Sequence, residues 1–248
     1  MVNVLVPMAG AGSRFVKAGF ALPKPLVSVG GVPMGKVVVD NLKNWGLQNA
    51  RFVFIIQTKH AEAFDLDRYC RDWGGPSSVI VKTDGLTAGA LCTCLLAVDF
   101  IDSKSPLLVA NCDQYLDGHF PAFPNLISKD SKSGIVLTMR VPGKDRKWSY
   151  ARTEGDQIVE VAEKKPISDL ATVGVYGFSE GSGFVQAAKD MILADDRTNG
   201  EFYVAPIYNR LLSDGWIVKS VNLGMEHEIF HGLGTPEDLE AFLARGVL

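Results

Sequence analysis

Cysteine, histidine, long apolar runs and excess charge are all scarce in this sequence, and each scarcity closes off a class of protein. The 248 residues include four cysteines, Cys70, Cys92, Cys94 and Cys112. They are too few and too irregularly spaced for a disulfide framework. Four histidines offer no evident nucleophile–base pair. No apolar run approaches the roughly 20 residues that span a bilayer. The opening Met1-Val2-Asn3-Val4-Leu5-Val6-Pro7 reads as a short strand without the basic flank of a signal peptide. A net charge of −3 gives no basic field for nucleic acid. These absences predict a cytoplasmic protein with reduced thiols and with neither nucleic acid nor membrane as partner. With no internal repeat, low-complexity tract or linker, residues 1–248 are expected to form a single domain.

Apolar residues make up 47% of the chain, enough at this length for one sizeable core. Short apolar strands alternate with helical stretches through the first two-thirds: strands at 3–6, 52–57, 78–81 and 107–110, helices at 34–44, 61–72 and 88–98. This pattern predicts an α/β fold, a Rossmann-like mixed but mostly parallel sheet with helices on both faces. Beyond Asn111, strands at 134–140, 150–152, 158–162 and 173–178 follow one another without long helices and read as antiparallel additions. Helices are expected at 184–193 and 203–214, and a strand at 216–221. A last helix starts at Pro236, with Thr235 as N-cap and Glu237 and Asp238 in its first turn.

The most informative segment is Gly10-Ala11-Gly12-Ser13-Arg14, directly after the first strand, followed by Pro23-Lys24-Pro25-Leu26. Open α/β sheets bind ligands at the carboxyl ends of their strands, and glycines there let backbone N–H groups approach phosphate oxygens. Arg14 and Lys24 add positive charge suited to a triphosphate. A dinucleotide fingerprint is excluded because Phe15 stands where a third glycine or alanine is needed. Gly30-Gly31-Val32-Pro33-Met34-Gly35-Lys36-Val37 nearly spells a Walker A loop. Val37, however, replaces the Ser or Thr that must hold magnesium, so a strand, a tight Gly-Gly turn and a helix start are expected instead.

Gly-x-Gly-Ser-Arg followed by Pro-Lys-Pro-Leu resembles the signature of the sugar-nucleotide pyrophosphorylases, also called sugar-phosphate nucleotidyltransferases. The resemblance runs over nearly the whole chain but is specific at a few motifs. It implies a glycosyltransferase-A-like fold, with residues 1–115 binding nucleotide and residues 116–248 binding a phosphorylated acceptor. Asp113, in Asn111-Cys112-Asp113-Gln114 after the strand at 107–110, is implied to hold Mg²⁺, at a strand end suited to it. Arg14, Lys24 and Asp113 form the implied catalytic set. Ala9, Gly10, Ala11, Gly12 and Ser13 would bind the nucleotide, with Gln57 and Gly85 (in Thr83-Asp84-Gly85-Leu86-Thr87-Ala88-Gly89-Ala90) near the base. Thr87 reads equally as the N-cap of the next helix. Glu163-Lys164-Lys165-Pro166 resembles the family's Glu-Lys-Pro motif. Glu163 would then bind acceptor hydroxyls and Lys164 the acceptor phosphate, although the inserted Lys165 leaves the choice of lysine open. Gly174 and Glu201 complete the implied acceptor site.

One departure stands out. The family's second carboxylate, before the last helix, falls at Gly232, so Glu228 or His231 substitutes, or Asp113 acts with phosphate oxygens and water alone. His227-Glu228-Ile229-Phe230-His231 matches a zinc-protease pattern, but Gly232, Gly234 and Pro236 interrupt the helix that pattern needs. Cys92 and Cys94, two apart in an apolar helix, are expected to pack in the core.

The implied reaction is in-line attack of an acceptor phosphate oxygen on the α-phosphorus of an NTP, expelling pyrophosphate. A phosphate monoester is largely deprotonated at neutral pH, so no general base is required. A sugar 1-phosphate is the first expectation for the acceptor, feeding capsule, lipopolysaccharide or another glycan. A CTP-dependent enzyme acting on phosphocholine is the runner-up. A nucleotide-sugar glycosyltransferase fits less well, because Asn111 replaces the first aspartate of D-x-D. A non-catalytic nucleotide-binding subunit is kept open by Gly232. Homodimers are common in the family, but no interface is legible in the sequence.

Overall fold

The computed structural model of the chain describes residues 1–118, 122–127, 131–143 and 145–246. Thirteen strands are present among them: β1 (Asn3–Pro7), β2 (Ser28–Val29), β3 (Val32–Pro33), β4 (Arg51–Gln57), β5 (Val79–Thr83), β6 (Leu107–Ala110), β7 (Gln114–Leu116), β8 (Ser133–Arg140), β9 (Ser149–Glu154), β10 (Gln157–Glu163), β11 (Leu170–Phe178), β12 (Ile217–Met225) and β13 (Phe230–Gly232). The α-helices are α1 (Ser13–Lys17), α2 (Met34–Leu42), α3 (Thr58–Phe64), α4 (Leu66–Gly74), α5 (Ala90–Leu95), α6 (Val98–Ile101), α7 (Phe123–Leu126), α8 (Gly181–Leu193), α9 (Ile207–Ser213), α10 (Glu226–Ile229) and α11 (Pro236–Ala244).

One nine-stranded sheet runs β5-β4-β1-β6-β11-β8-β12-β10-β9. Its first four strands are parallel. From β11 onward the pairing is antiparallel, except between β8 and β12. The sheet is therefore mixed, and its parallel character belongs to the first half.

Strand periodicity places the core on both faces. Val4, Val6, Phe52, Phe54 and Ile56 pack with α2, α3 and α4 through Val38, Ala61, Leu66 and Trp73. The alternate residues Leu5, Val53, Ile55, Leu107 and Val109 pack with α5, α8 and α9 through Leu91, Phe184 and Tyr208. Both faces are covered, which explains the unbroken apolar runs of β4 and β6.

Local backbone chemistry moves several boundaries. The helix expected over 61–72 is two helices, because Asp65 sits in the left-handed region at φ 53°. The helix expected from 88 begins at Ala90, behind Gly89 at φ 136°. The stretch expected to be helical from 203 begins at Ile207, because Phe202 is tied to the turn after β5. Its N–H donates to Ala88 O at 2.9 Å, and its carbonyl accepts from Leu91 N–H at 3.1 Å. The near-Walker segment is a tight hairpin, β2 to β3, with Gly30 and Gly31 at positive φ. Thr235 caps α11 as expected, accepting from Asp238 N–H at 3.1 Å.

Candidate nucleotide and acceptor site

A cavity of about 800 Å³ opens at the carboxyl ends of β1 and β6. It is lined on one side by Ala9, Gly10, Ala11 and Arg14, and at the centre by Asp113. On the far side lie Glu163, Gly174 and Glu201. Residues separated by nearly two hundred positions in sequence thus share one cleft, where such sheets bind ligands.

The glycine loop is held in place by neighbours that do not themselves reach the cavity. Met8 N–H donates to Ile55 O at 2.8 Å. The buried Gln57 amide donates to Ala9 O at 2.7 Å and Gly10 O at 3.1 Å. Gln57 therefore braces the loop, and a base contact from it would require giving up these bonds. Gly12, at φ 59°, turns the chain into α1 and packs against the Lys24 side chain, with 3.5 Å between its Cβ position and Lys24 Cβ. Neither Gly12 nor Ser13 lines the cavity, and Ser13 is exposed. Beneath the loop, Phe15, Val27, Met34, Leu239 and Phe242 form a small separate core that joins α1 and α2 to α11.

Lys24 does not line the cavity directly. It enters a tight turn between Pro23 and Pro25, and its ammonium forms an ion pair with the Asp113 carboxylate. Opposite them, Gly232 and Gly234 present bare backbone to the cavity. A Cβ on Gly234 would stand 3.2 Å from Asp113 Oδ2 and 3.9 Å from Arg14 Nη1. Leu233 N–H donates to Asp113 O at 2.8 Å, and β13 pairs with β7. The last third of the chain is thereby fastened to the carboxylate loop.

The carboxylate nearest a Cβ at Gly232 is that of Asp238, 3.5 Å away. Asp238 lines the cavity, whereas Glu228 does not. His231 is buried in β13 between Tyr115 and Phe242. Burial lowers its pKa, and its Nε2 stands 3.9 Å from an Asp117 oxygen. The zinc-protease pattern lacks its helix, since α10 ends at Ile229 and His231 is in a strand. The His227 side chain lies outside the described residues. Among the described residues, no three His, Cys, Asp or Glu side chains cluster as a metal centre.

Past the end of β5, Leu86, Thr87, Gly89, Ala90 and Thr93 line the cavity, whereas Gly85 does not. Thr87 does not cap α5. Its hydroxyl donates to Gly89 O at 2.8 Å and lies 2.7 Å from the Thr93 hydroxyl. Cys112 lines the cavity as well, its thiol pushed up to about 11 by burial and by Asp113. Cys94 is fully buried and Cys92 packs beside the same core, and all four cysteines are free thiols.

At the far side of the cavity, the register of β11 on β8 slips between Thr172 and Tyr176. Gly174, at φ 72° in this bulge, accepts from Asn111 N–H at 2.9 Å. Glu163 closes β10, accepts from the Ser149 hydroxyl, and has its pKa raised, chiefly by burial. Lys164 turns its ammonium onto Tyr203, 2.5 Å from the hydroxyl and 4.5 Å from the ring centroid. Tyr203 lines the cavity and Lys164 stands behind it. Sequence reading gives no site role to Lys147, Trp148, Tyr203 or Asp238, which line the cavity. Tyr203 ends the 198–203 segment, which resembles a family segment near the acceptor, and Asp238 reads only as a first-turn residue of the last helix.

A raised folded-state pKa means that the ionised Glu163 is disfavoured by the fold. That cost is felt above the folded pKa and fades as pH falls toward and below the ordinary value of 4.5. Glu163→Gln is therefore expected to melt higher than wild type near pH 8, with the gain shrinking by about pH 4. Melting curves across that range check it, and a gain constant with pH would contradict the burial argument.

The nucleotidyl transferase family matches residues 4–212 of the chain. A nucleoside-diphosphate-sugar pyrophosphorylase from Vibrio cholerae RC9 superposes with a TM-score of 0.82 at 26% identity, covering 97% of this chain and 99% of that one. A Bacillus anthracis protein assigned as a glucose-1-phosphate thymidylyltransferase gives 0.79 at 19% identity, over 100% and 96%. The inositol-1-phosphate CTP transferase of T. maritima gives 0.74 at 17%, over 99% and 97%. Comparison with curated proteins finds no match. A family match over most of the chain, on a sheet whose strand ends gather Arg14, Asp113 and the glycine loop into one cleft, means that this chain belongs to the nucleotidyl transferase family and is a nucleotidyltransferase enzyme.

Proposed function

We propose that the enzyme transfers an NMP unit from an NTP to a sugar 1-phosphate and releases pyrophosphate, supplying a precursor for surface polysaccharide. The observation that carries this reading is the shared cavity, with Arg14 and Asp113 at one end and Glu163, Gly174 and Glu201 at the other. An acceptor phosphate oxygen forms the new bond to the α-phosphorus as the bond to the β-phosphate bridging oxygen breaks. The electron pair leaves with pyrophosphate. Arg14, which lines the cavity, and Lys24, once it leaves Asp113, take up charge on the triphosphate. Glu163, backed by Ser149, accepts from acceptor hydroxyls, and Lys164 acts on the acceptor through Tyr203.

Magnesium fits this site. The carboxylate of Asp113 already holds a cation, the Lys24 ammonium, and faces the bare backbone of Gly234. Without a three-donor cluster among the described residues, phosphate oxygens and water must complete the shell, which is how Mg²⁺ is commonly held. Bound there, it would neutralise charge on the phosphate oxygens.

A CTP-dependent enzyme acting on a phosphocholine-like acceptor is the second reading. It rests on the rings of Trp148 and Tyr203, each of which already carries a lysine ammonium, Lys147 at 4.7 Å and Lys164 at 4.5 Å, so that a quaternary ammonium would take the place of one of these cations. A thermal-shift titration with ATP, CTP, GTP, UTP and dTTP, each with Mg²⁺, tests the donor half of both readings. One triphosphate at about a hundred times its Kd should add roughly 2.7 kcal/mol. Stabilisation by a nucleotide sugar and by no triphosphate would overturn both.

A further inference from the structure

We infer that Lys24 guards Asp113, so that this end of the cavity takes a divalent cation only as its triphosphate chelate and not as the free ion. The inference rests on the reading of Asp113 as the cation's carboxylate and adds to it an order of binding. Lys24 stands at the start of a turn fixed by Pro23 and Pro25, with its stem against Gly12 of the phosphate loop. Its ammonium lies on Asp113 Oδ2. The two side chains are 18% and 29% exposed, so water screens the pair only in part.

A free divalent cation reaching Asp113 would have to displace this ammonium and shed some of its own water, which magnesium does reluctantly. Among the described residues, Asp113 is the carboxylate paired with Lys24, so displacement would take that partner from the ammonium. The bare stretch at Gly232 and Gly234 brings no donor of its own side chains to repay that loss. A triphosphate in the glycine loop changes the balance, because its oxygens give the ammonium a new anionic partner beside Gly12. The same oxygens bring the cation with most of its shell complete. Lys24 then passes from carboxylate to phosphate as the cation takes its place. This exchange also couples the metal to the substrate, since neither Asp113 nor Lys24 is left unpaired in either state.

The test is metal binding rather than turnover. Mn²⁺ alone is titrated by electron paramagnetic resonance into wild type, Lys24→Met, Lys24→Arg and Lys24→Met/Asp113→Asn, after circular dichroism has verified folding. Lys24→Met should bind one Mn²⁺ at least about tenfold more tightly than wild type, a gain of about 1.4 kcal/mol. The double variant should lose that gain, and Lys24→Arg, which keeps the guarding charge, should bind as weakly as wild type. Equal Mn²⁺ affinity in wild type and Lys24→Met would overturn the guard. Thermal shift with Mn²⁺–tripolyphosphate, a probe without a base, separates the underlying reading: it should stabilise wild type far more than Asp113→Asn. Equal stabilisation of those two would show that Asp113 holds no cation, whatever Lys24 does.

Discussion

Replacing Asp113 by alanine lowers pyrophosphate-releasing turnover about a thousandfold while moving the melting temperature by no more than about 4 °C. The two numbers come from different parts of the physics. In the resting protein the Asp113 side chain is part-exposed and its interaction is one ion pair with Lys24. Such pairs are worth about 0–1 kcal/mol, and 1 kcal/mol shifts a chain of this size by roughly 2–4 °C. The loop itself stays anchored by backbone bonds, Leu233 N–H to Asp113 O and Asn111 N–H to Gly174 O, which alanine keeps. During transfer, the same carboxylate is the proposed anchor of the cation that offsets charge on the phosphates. Losing it costs about 4 kcal/mol of transition-state stabilisation, equivalent to the thousandfold. Parallel calorimetry and pyrophosphate assays check both halves. Full activity in Asp113→Ala would remove the metal assignment, and a collapse of the fold would show that the residue is structural.

The second large effect is expected at Gly174→Ala, where stability falls by roughly 2–4 kcal/mol and turnover falls with it. Gly174 is at φ 72°, a region that costs an alanine about 1 kcal/mol or more. Its methyl would overlap the Asn111 side-chain amide and stand 2.5 Å from Gln114 Oε1. Overpacking of this kind adds about 1–3 kcal/mol. Asn111 and Gln114 flank Asp113 in sequence, so relieving the overlap pushes the carboxylate loop out of line with Lys24 and Arg14. Denaturant unfolding reads the first effect. The second is read as a drop in kcat for the protein that remains folded. A stability change below about 0.5 kcal/mol would mean that the β11 bulge yields freely and does not set the site.

Sequence was most informative where chemistry is local. The Gly10–Arg14 loop, the Pro23-Lys24-Pro25 turn and Asp113 after an apolar strand each carry their meaning in a few adjacent residues, and β6 has the expected limits, Leu107–Ala110. Thr235 was legible as a cap because capping depends on the three residues that follow. What escaped depends on distant contacts. Gln57 looked like a base contact at a strand end, but its amide donates to two loop carbonyls 47 and 48 positions away. Lys164 looked like a direct acceptor ligand, yet Tyr203, on the connection between α8 and α9, stands in front of it. Asp238 read as a first-turn residue of α11, and its place beside Gly232 emerges only when that helix packs against the cavity. The mixed half of the sheet was legible as strands, but the parallel pairing of β8 with β12 joins segments some eighty residues apart that no local pattern links.

The most direct test is pyrophosphate release with Mg²⁺ and each of the common NTPs against a set of sugar 1-phosphates, with phosphocholine as the non-sugar comparison. Pyrophosphate is expected with one NTP–acceptor pair, dependent on both partners and matched mole for mole by the NMP-linked product. Consumption of an intact nucleotide sugar, with a nucleoside diphosphate released and no pyrophosphate from any pair, would contradict it.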